Sequence, residues 1–174
     1  MVTLGSWVHD LLGLPLPIQP ERQVVVRMRS PSGMLPIFVL PAEEPYEVFY
    51  GCPEVDAMKV GFHHGGAVGH PDSLSRVVTA QEVEAINAYL RQRAPSLAGT
   101  PVETITCLYT NSPDRNYVID RHPEAAGVVF ATGCSGRGYK MASAVGEALA
   151  DLVDGKARPE FAFLSASRFG IGVA

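Results

Sequence analysis

Four short runs rich in β-branched and aromatic residues crowd residues 23–64: QVVVRMRS, MLPIFVLP, YEVFYGCP and AMKVGFHH. Each has strand length, the turn-former SPSG ends the first, and Pro, Gly or Glu punctuates the rest. Strands spaced this closely predict an antiparallel sheet. The segment just before them, LPLPIQPERQ, reads as a proline-rich connector.

Helical patterns flank this region. SWVHDLLGL carries apolar residues at helical spacing after a very short strand-like start, MVTLG. Thr79 and Glu82 have capping-box spacing, so hydroxyl and carboxylate can each satisfy a free backbone N–H. Val83, Ile86 and Leu90 follow at helical spacing, and RAPSLAG stops the helix. TPVETITCLYT predicts a strand with Val102, Thr104, Thr106 and Leu108 on one face. Glu103, Ile105, Cys107 and Tyr109 take the other. YVIDRHP and GVVFATG predict two short strands, with Asp114, Asp120 and His122 read as turn residues. A last helix after Gly138 is expected to bury Met141, Val145, Leu149 and Leu152 and to end at Gly155. FAFLSASRF reads as a terminal strand or extended tail. The fold class expected is α+β (α/β), a mixed or antiparallel sheet flanked by helices.

Composition narrows the function classes. The 174 residues are 47% hydrophobic and 18% charged, enough for one sizeable core or two small ones. A net charge of -4 without a Lys/Arg cluster does not favour nucleic acid or an acidic membrane surface. No apolar run approaches bilayer-spanning length and no secretory signal is visible. Three cysteines, Cys52, Cys107 and Cys134, suggest a reducing, cytoplasmic compartment without a disulfide framework. The His63–His64 pair has no carboxylate or cysteine at ligand spacing, so no metal centre is expected.

Residues 131–140, ATGCSGRGYK, place three glycines between a strand and a helix. The spacing Gly133-x-x-Gly136-x-Gly138 inverts the dinucleotide fingerprint G-x-G-x-x-G. No second βαβ strand follows at the right distance, and no Lys-Ser/Thr pair makes it a P-loop. Glycines here can serve a tight turn and close helix–sheet packing. They can also let an electron-rich group approach the helix N-terminus, where free N–H groups carry partial positive charge.

CLYTNSPDRNYVIDRHPE followed by VVFATGCSGRGYK resembles the C-terminal half of the sarcosine oxidase and N-methyltryptophan oxidase group. These are FAD-dependent enzymes of the D-amino-acid-oxidase-like superfamily. LGSWVHDLLG resembles the group's strand-Gly-x-Trp-helix segment, and MKVGFHHGG its Lys-x-Gly-aromatic-His strand. The resemblance runs through nearly the whole chain in order. It implies that residues 1–18 and 117–174 are the remnant of an FAD-binding domain. Residues 19–116 would be part of a substrate-binding domain. The FAD-binding domain is expected to be incomplete, because the group's G-x-G-x-x-G lies upstream of the Trp7 segment.

The resemblance also assigns roles. Gly133, Ser135, Gly136 and Gly138 would face the flavin ring, with the helix N-terminus at its N1–C2=O edge. Cys107 matches the cysteine that bonds covalently to the flavin 8-methyl group, chemistry that needs a thiolate. Tyr109 matches a substrate-side tyrosine, and Lys140 a lysine that helps to hold the substrate carboxylate. Lys59 matches the lysine placed for reaction with oxygen, where a fixed cation stabilises developing superoxide. His63, on the same strand face as Lys59, matches an active-site histidine, whereas His64 would be structural or exposed.

Cys134 stands where the group commonly has Phe, and Arg137 where it commonly has His, which alters the expected pocket. The function implied is oxidation of a secondary or N-methyl amino acid with O2 to imine and H2O2. FAD would not be retained by this chain alone and would need a complementary N-terminal FAD-binding chain. The alternative is a non-catalytic remnant acting as a binding or oligomeric module. Strand edges left unpaired predict a homodimer, with QVVVRM or AMKVGF near the contact.

Overall fold

The computed structural model describes residues 1–30, 35–156 and 158–171. Most of the expected SPSG turn and Met34 therefore lie outside the described residues. The chain divides into two units, Glu21–Leu108 and the combination of Met1–Pro20 with Tyr109–Ala174.

The first unit is built on a five-stranded sheet. Its strands are β1 (Gln19–Arg29), β2 (Phe38–Pro41), β3 (Val48–Pro53), β4 (Ala57–His63) and β5 (Pro101–Asn111), in the order β2-β3-β4-β1-β5. The β2/β3, β3/β4 and β4/β1 pairs are antiparallel, as the close spacing of the runs predicts. One face is covered by α2 (Ala80–Arg93), whose Ile86 and Leu90 pack with Val26, Met28, Phe49, Met58 and Val60. The Thr79–Glu82 capping box forms in both directions and fixes where α2 begins.

Two expectations fail here. The PERQ connector is part of β1, and Glu21, Arg22 and Gln23 are buried at 4%, 7% and 4% exposure. Polar residues withstand that burial because they are bonded. Arg22 binds Glu82 and donates to the carbonyls of Ser75 (2.6 Å) and Val77 (2.7 Å), and Gln23 donates to Glu21 (2.8 Å). Second, QVVVRM and AMKVGF lie in β1 and β4, interior strands with neighbours on both sides. Neither offers a free edge to a second copy. The edges are β2 and β5.

In the second unit a 3-10 turn, Gly5–Trp7, leads into α1 (Val8–Leu12), which Gly13 ends in the left-handed conformation. The β6 (Val118–Arg121) and β7 (Val129–Thr132) strands form an antiparallel pair. Val2 adds to the pair in parallel at Phe130. α3 (Gly138–Val153) lays Ala148 and Leu149 over Ile119, Val129 and Ala131. Val145 and Leu152 are partly buried there, but Met141 is 42% exposed, against the expectation that it is core. Lengths give the reason. Four-residue strands reach about 13 Å and a 16-residue helix about 24 Å, so the pair is too short to cover α3.

The C-terminal segment is not extended. It forms two 3-10 turns, Pro159–Leu164 and Ala166–Phe169, separated by Ser165. The carboxylate of Asp120 accepts from the Ser165 hydroxyl (2.6 Å) and the Ala166 N–H (2.8 Å), which pins the junction. Asp120 is thus a β6 residue that holds the C-terminus, not a turn residue.

Candidate functional site

In the second unit the glycine-rich loop leaves β7 and enters α3. Gly133, Ser135 and Gly136 all have positive φ, 68°, 46° and 79°, which reverses the chain within a few residues. At Gly133 a Cβ would meet the Asn116 carbonyl oxygen at 3.2 Å and Val118 at 3.3 Å. The fold itself therefore demands that glycine. Gly138 differs, because its φ is not positive and a Cβ would make ordinary contact with Cys134 at 3.4 Å. Nothing in this unit's packing requires glycine there.

Ser135 is fully buried and bonded inward. Its hydroxyl donates to the Gly133 carbonyl (3.1 Å) and accepts from the Ser112 N–H (3.3 Å), while its own N–H donates to the Thr110 carbonyl (3.0 Å). The side chain braces the loop against the end of β5. At the start of α3 the N-cap residue, Arg137, makes no side-chain cap bond, and the first turn holds no acidic residue. Neither a cap side chain nor a first-turn acid offsets the partial positive charge of that terminus. Lys140 sits exposed on the first turn, and Tyr109 is half-buried in β5. A cleft of about 310 Å³ opens beside the loop, lined among others by Gly5, Thr110, Gly133, Gly138, Ala142 and Gly146.

The first unit carries Lys59, His63 and Cys107. Lys59 is half-buried in β4, opposite Arg27 on β1 and Cys52 on β3. His63, four residues on, ends the same strand on the same face. Burial pushes the Cys107 thiol above its ordinary pKa, and the positive charges of Lys59 and Arg76 oppose that shift. The structure thus brings Lys59 and Cys107 within electrostatic reach, together with Arg76, which the sequence did not single out.

His64 is neither exposed nor idle. It is buried, and its Nδ1 donates to Glu21 at 3.0 Å with both side chains 5% exposed. Glu47 joins His63 and His64 in a cluster whose ligand atoms lie within 4.8 Å of one another. This supplies the carboxylate that sequence spacing did not. The signal was absent because Glu47 is distant in sequence and reaches His63 only through the β3/β4 register.

No helix among the described residues is long and apolar enough to cross a membrane. Residues 1–152 match the family described as FAD dependent oxidoreductase (DAO). The chain is 33% identical to monomeric sarcosine oxidase of Bacillus sp. strain NS-129, over 97% of this chain and 46% of that protein. It is 39% identical to N-methyl-L-tryptophan oxidase of Escherichia coli O139:H28, over 90% of this chain and 43% of that one. The crystal structure of glycine oxidase from Geobacillus kaustophilus superposes with a TM-score of 0.78 at 22% identity, over 94% of this chain and 44% of its own. The chain spans less than half the length of these relatives. With the family matched along most of its residues, the chain belongs to the FAD-dependent oxidoreductases of the DAO family.

Proposed function

We propose that this chain forms the part of an FAD-dependent amine oxidase that meets the flavin ring and the substrate. The proposed substrate is a secondary or N-methyl amino acid. The observation that carries this reading is the cleft beside the Gly133–Gly138 loop, at the uncapped N-terminus of α3. Small-molecule pockets run from about 300 to 1,000 Å³. At 310 Å³ this cleft suits a ring system and not a whole dinucleotide. Its residues fit a flat ring with an anionic edge: glycines permit close approach, and helix N–H groups stabilise negative charge. The nucleotide part of FAD would be held by residues beyond these 174, on the same polypeptide or another.

When bound, FAD supplies the hydride acceptor that oxidises the substrate C–N bond to an imine, and O2 then takes the electrons to give H2O2. Lys59 is proposed to stabilise negative charge developing on oxygen, and Lys140 to hold the substrate carboxylate. His63 and Tyr109 are proposed to line the substrate, as the resemblance implies. Cys107 is proposed as the covalent flavin link. Burial raises its thiol pKa, while the charges of Lys59 and Arg76 act in the opposite direction, toward the thiolate that such a bond needs.

The test joins the chain to the segment equivalent to the remaining length of its relatives and supplies FAD. H2O2 release is assayed with sarcosine and N-methyl-L-tryptophan as probes. Lys59→Met is expected to slow oxidation of the reduced flavin by O2 on the order of a hundredfold, with substrate-driven reduction much less affected. Cys107→Ala is expected to abolish flavin retention after denaturation. A colourless assembly that releases no H2O2 with either amine would favour a binding or oligomeric module instead.

A further inference from the structure

We propose that Glu47, His63 and His64 form a binding site for a divalent transition-metal cation of the zinc type. The site lies wholly in the Glu21–Leu108 unit and does not depend on the flavin reading.

The convergence has a backbone cause. Successive residues of a strand point to opposite faces, so neighbouring histidines would ordinarily diverge. β4 ends at His63, and His64 adopts φ 64°, a left-handed conformation uncommon outside glycine. The two rings are thereby brought to 4.2 Å between centroids at 61°. Across the sheet, the Glu47 N–H donates to the His63 carbonyl at 3.0 Å, which places its carboxylate beside the pair. Donor atoms from all three residues lie within 4.8 Å of one another.

The tautomer of His64 is set by its partner. The Glu21 carboxylate already accepts from Gln23 Nε2 (2.8 Å) and the Gly66 N–H (2.8 Å), and it accepts from His64 Nδ1 as well. A carboxylate acting as acceptor requires the proton on Nδ1. Nε2 is then the unprotonated ring nitrogen, the form in which imidazole ligates, and Glu21 holds the ring at a fixed angle. A carboxylate behind a histidine is the support that metal-binding imidazoles ordinarily have.

Donors around a tetrahedral zinc ion sit about 3.4 Å apart, given bonds of ~2.0–2.1 Å. The cluster must therefore close slightly. Glu47 is exposed and His63 half-buried, so their side chains have room to rotate toward the buried, braced His64. Two imidazoles and one carboxylate favour zinc-type ions over magnesium or calcium, which prefer all-oxygen shells. Three protein ligands also leave a coordination position open. Since His63 is a proposed substrate-lining residue, a bound ion would withdraw it from that role and act as an inhibitor.

The test is a calorimetric titration of the untagged chain with zinc chloride, with magnesium chloride as the control. One equivalent of zinc is expected, with no comparable magnesium binding. Glu47→Gln and His63→Gln, both at surface-accessible positions, are each expected to weaken zinc binding at least about tenfold. Glu21→Gln leaves all three donors in place and is expected to weaken it about 10–100-fold through loss of the support. Circular dichroism checks that each variant folds. If Glu21→Gln does not fold, the two accessible variants carry the test alone. Absence of zinc binding overturns the proposal, as does equal binding of magnesium. So does zinc binding that either accessible variant leaves unchanged, which would place the ion elsewhere in the chain.

Discussion

α2 and α3 both carry apolar stripes, yet the α3 stripe is covered over only part of its length. In α2, Ile86 and Leu90 are 3% and 0% exposed under the five-stranded sheet. Its start is fixed by the capping box and by the Arg22–Glu82 ion pair. In α3 full burial is confined to Ala148 and Leu149, while Tyr139 is 100% and Met141 42% exposed. The α2 unit closes on itself through polar pins at the sheet edge of the helix. The α3 unit ends in a short strand pair that stops before the helix does. Helical periodicity announces that a stripe exists, and the length of the opposing sheet decides how much of it is buried.

Glycine substitutions should separate the two units most sharply. At Gly66 a Cβ would meet the Arg22 carbonyl oxygen at 1.8 Å, a backbone atom that cannot yield. The same residue's N–H donates to Glu21. Gly66→Ala is expected to cost at least about 4 kcal/mol or to prevent folding. Gly138→Ala meets only ordinary contacts, and alanine is the better helix former. Its stability is expected to stay within about 1 kcal/mol of the parent chain, while flavin binding by the joined protein falls. Urea unfolding measures the first effect and flavin titration the second. Equal destabilisation by both would mean that the loop and the sheet are equally closed.

Buried charge is the next contrast. Arg22 is 7% exposed and serves Glu82 and two backbone carbonyls at once. Arg22→Met leaves those acceptors without their donor and is expected to cost about 3 kcal/mol. The corresponding ion pair in the α3 unit, Arg168–Asp114 at 2.8 Å, is more open, its arginine side chain 19% exposed against 8% for Arg22. Asp114→Asn is expected to cost less than about 1 kcal/mol once solvent screening is counted.

The same pairs set the response to acid. For Glu82, burial raises the carboxyl pKa. The bonds from Arg22 and from the Thr79 N–H and hydroxyl outweigh it, and the folded value lies below 4.5. Asp114 is held below 3.8, first by its hydrogen bond from Arg168. A depressed carboxyl stabilises the fold above its unfolded pKa, and that contribution is lost as pH falls through the folded value. Stability should therefore decline as pH drops below 4.5. Arg22→Met should flatten the first part of the decline, and Asp114→Asn the part below 3.8. Unfolding followed at several pH values would show an unchanged slope if neither pair is formed.

Local chemistry was legible in the sequence wherever one segment sufficed. β-branched density placed β1, β3 and β4, and Thr79 with Glu82 placed the start of α2. Where distant segments supply the reason, the sequence was silent. Pro20–Gln23 read as a connector because nothing local shows that Glu21 meets His64 and Gly66, or that Arg22 meets Glu82. His64 read as structural or exposed, on the face opposite His63, because strand alternation assumes regular φ; it is structural, and its left-handed conformation breaks the alternation and brings the two rings together. The loop was readable as glycine-rich, but not which glycine the fold demands. Gly133 is crowded by Asn116 and Val118, and Gly138 is not crowded.

The smallest effect belongs to the exposed face of α3. Tyr139 and Met141 lie on its first turn, beyond the reach of β6 and β7. A side chain that is already in water gives up little transfer free energy when it is replaced. Tyr139→Ser and Met141→Ser are each expected to shift stability by no more than about 0.5 kcal/mol in this chain, the usual range for surface sites. Leu149→Ala, on the covered face of the same helix at 1% exposure, is expected to cost about 3 kcal/mol. If the face uncovered here is one that the remaining length of the relatives would bury, the two serine variants should become costly in the joined protein. Thermal unfolding of this chain and of the joined protein, side by side, decides it. A penalty already present in this chain would show that the face is packed and that the contrast between the two helices is wrong.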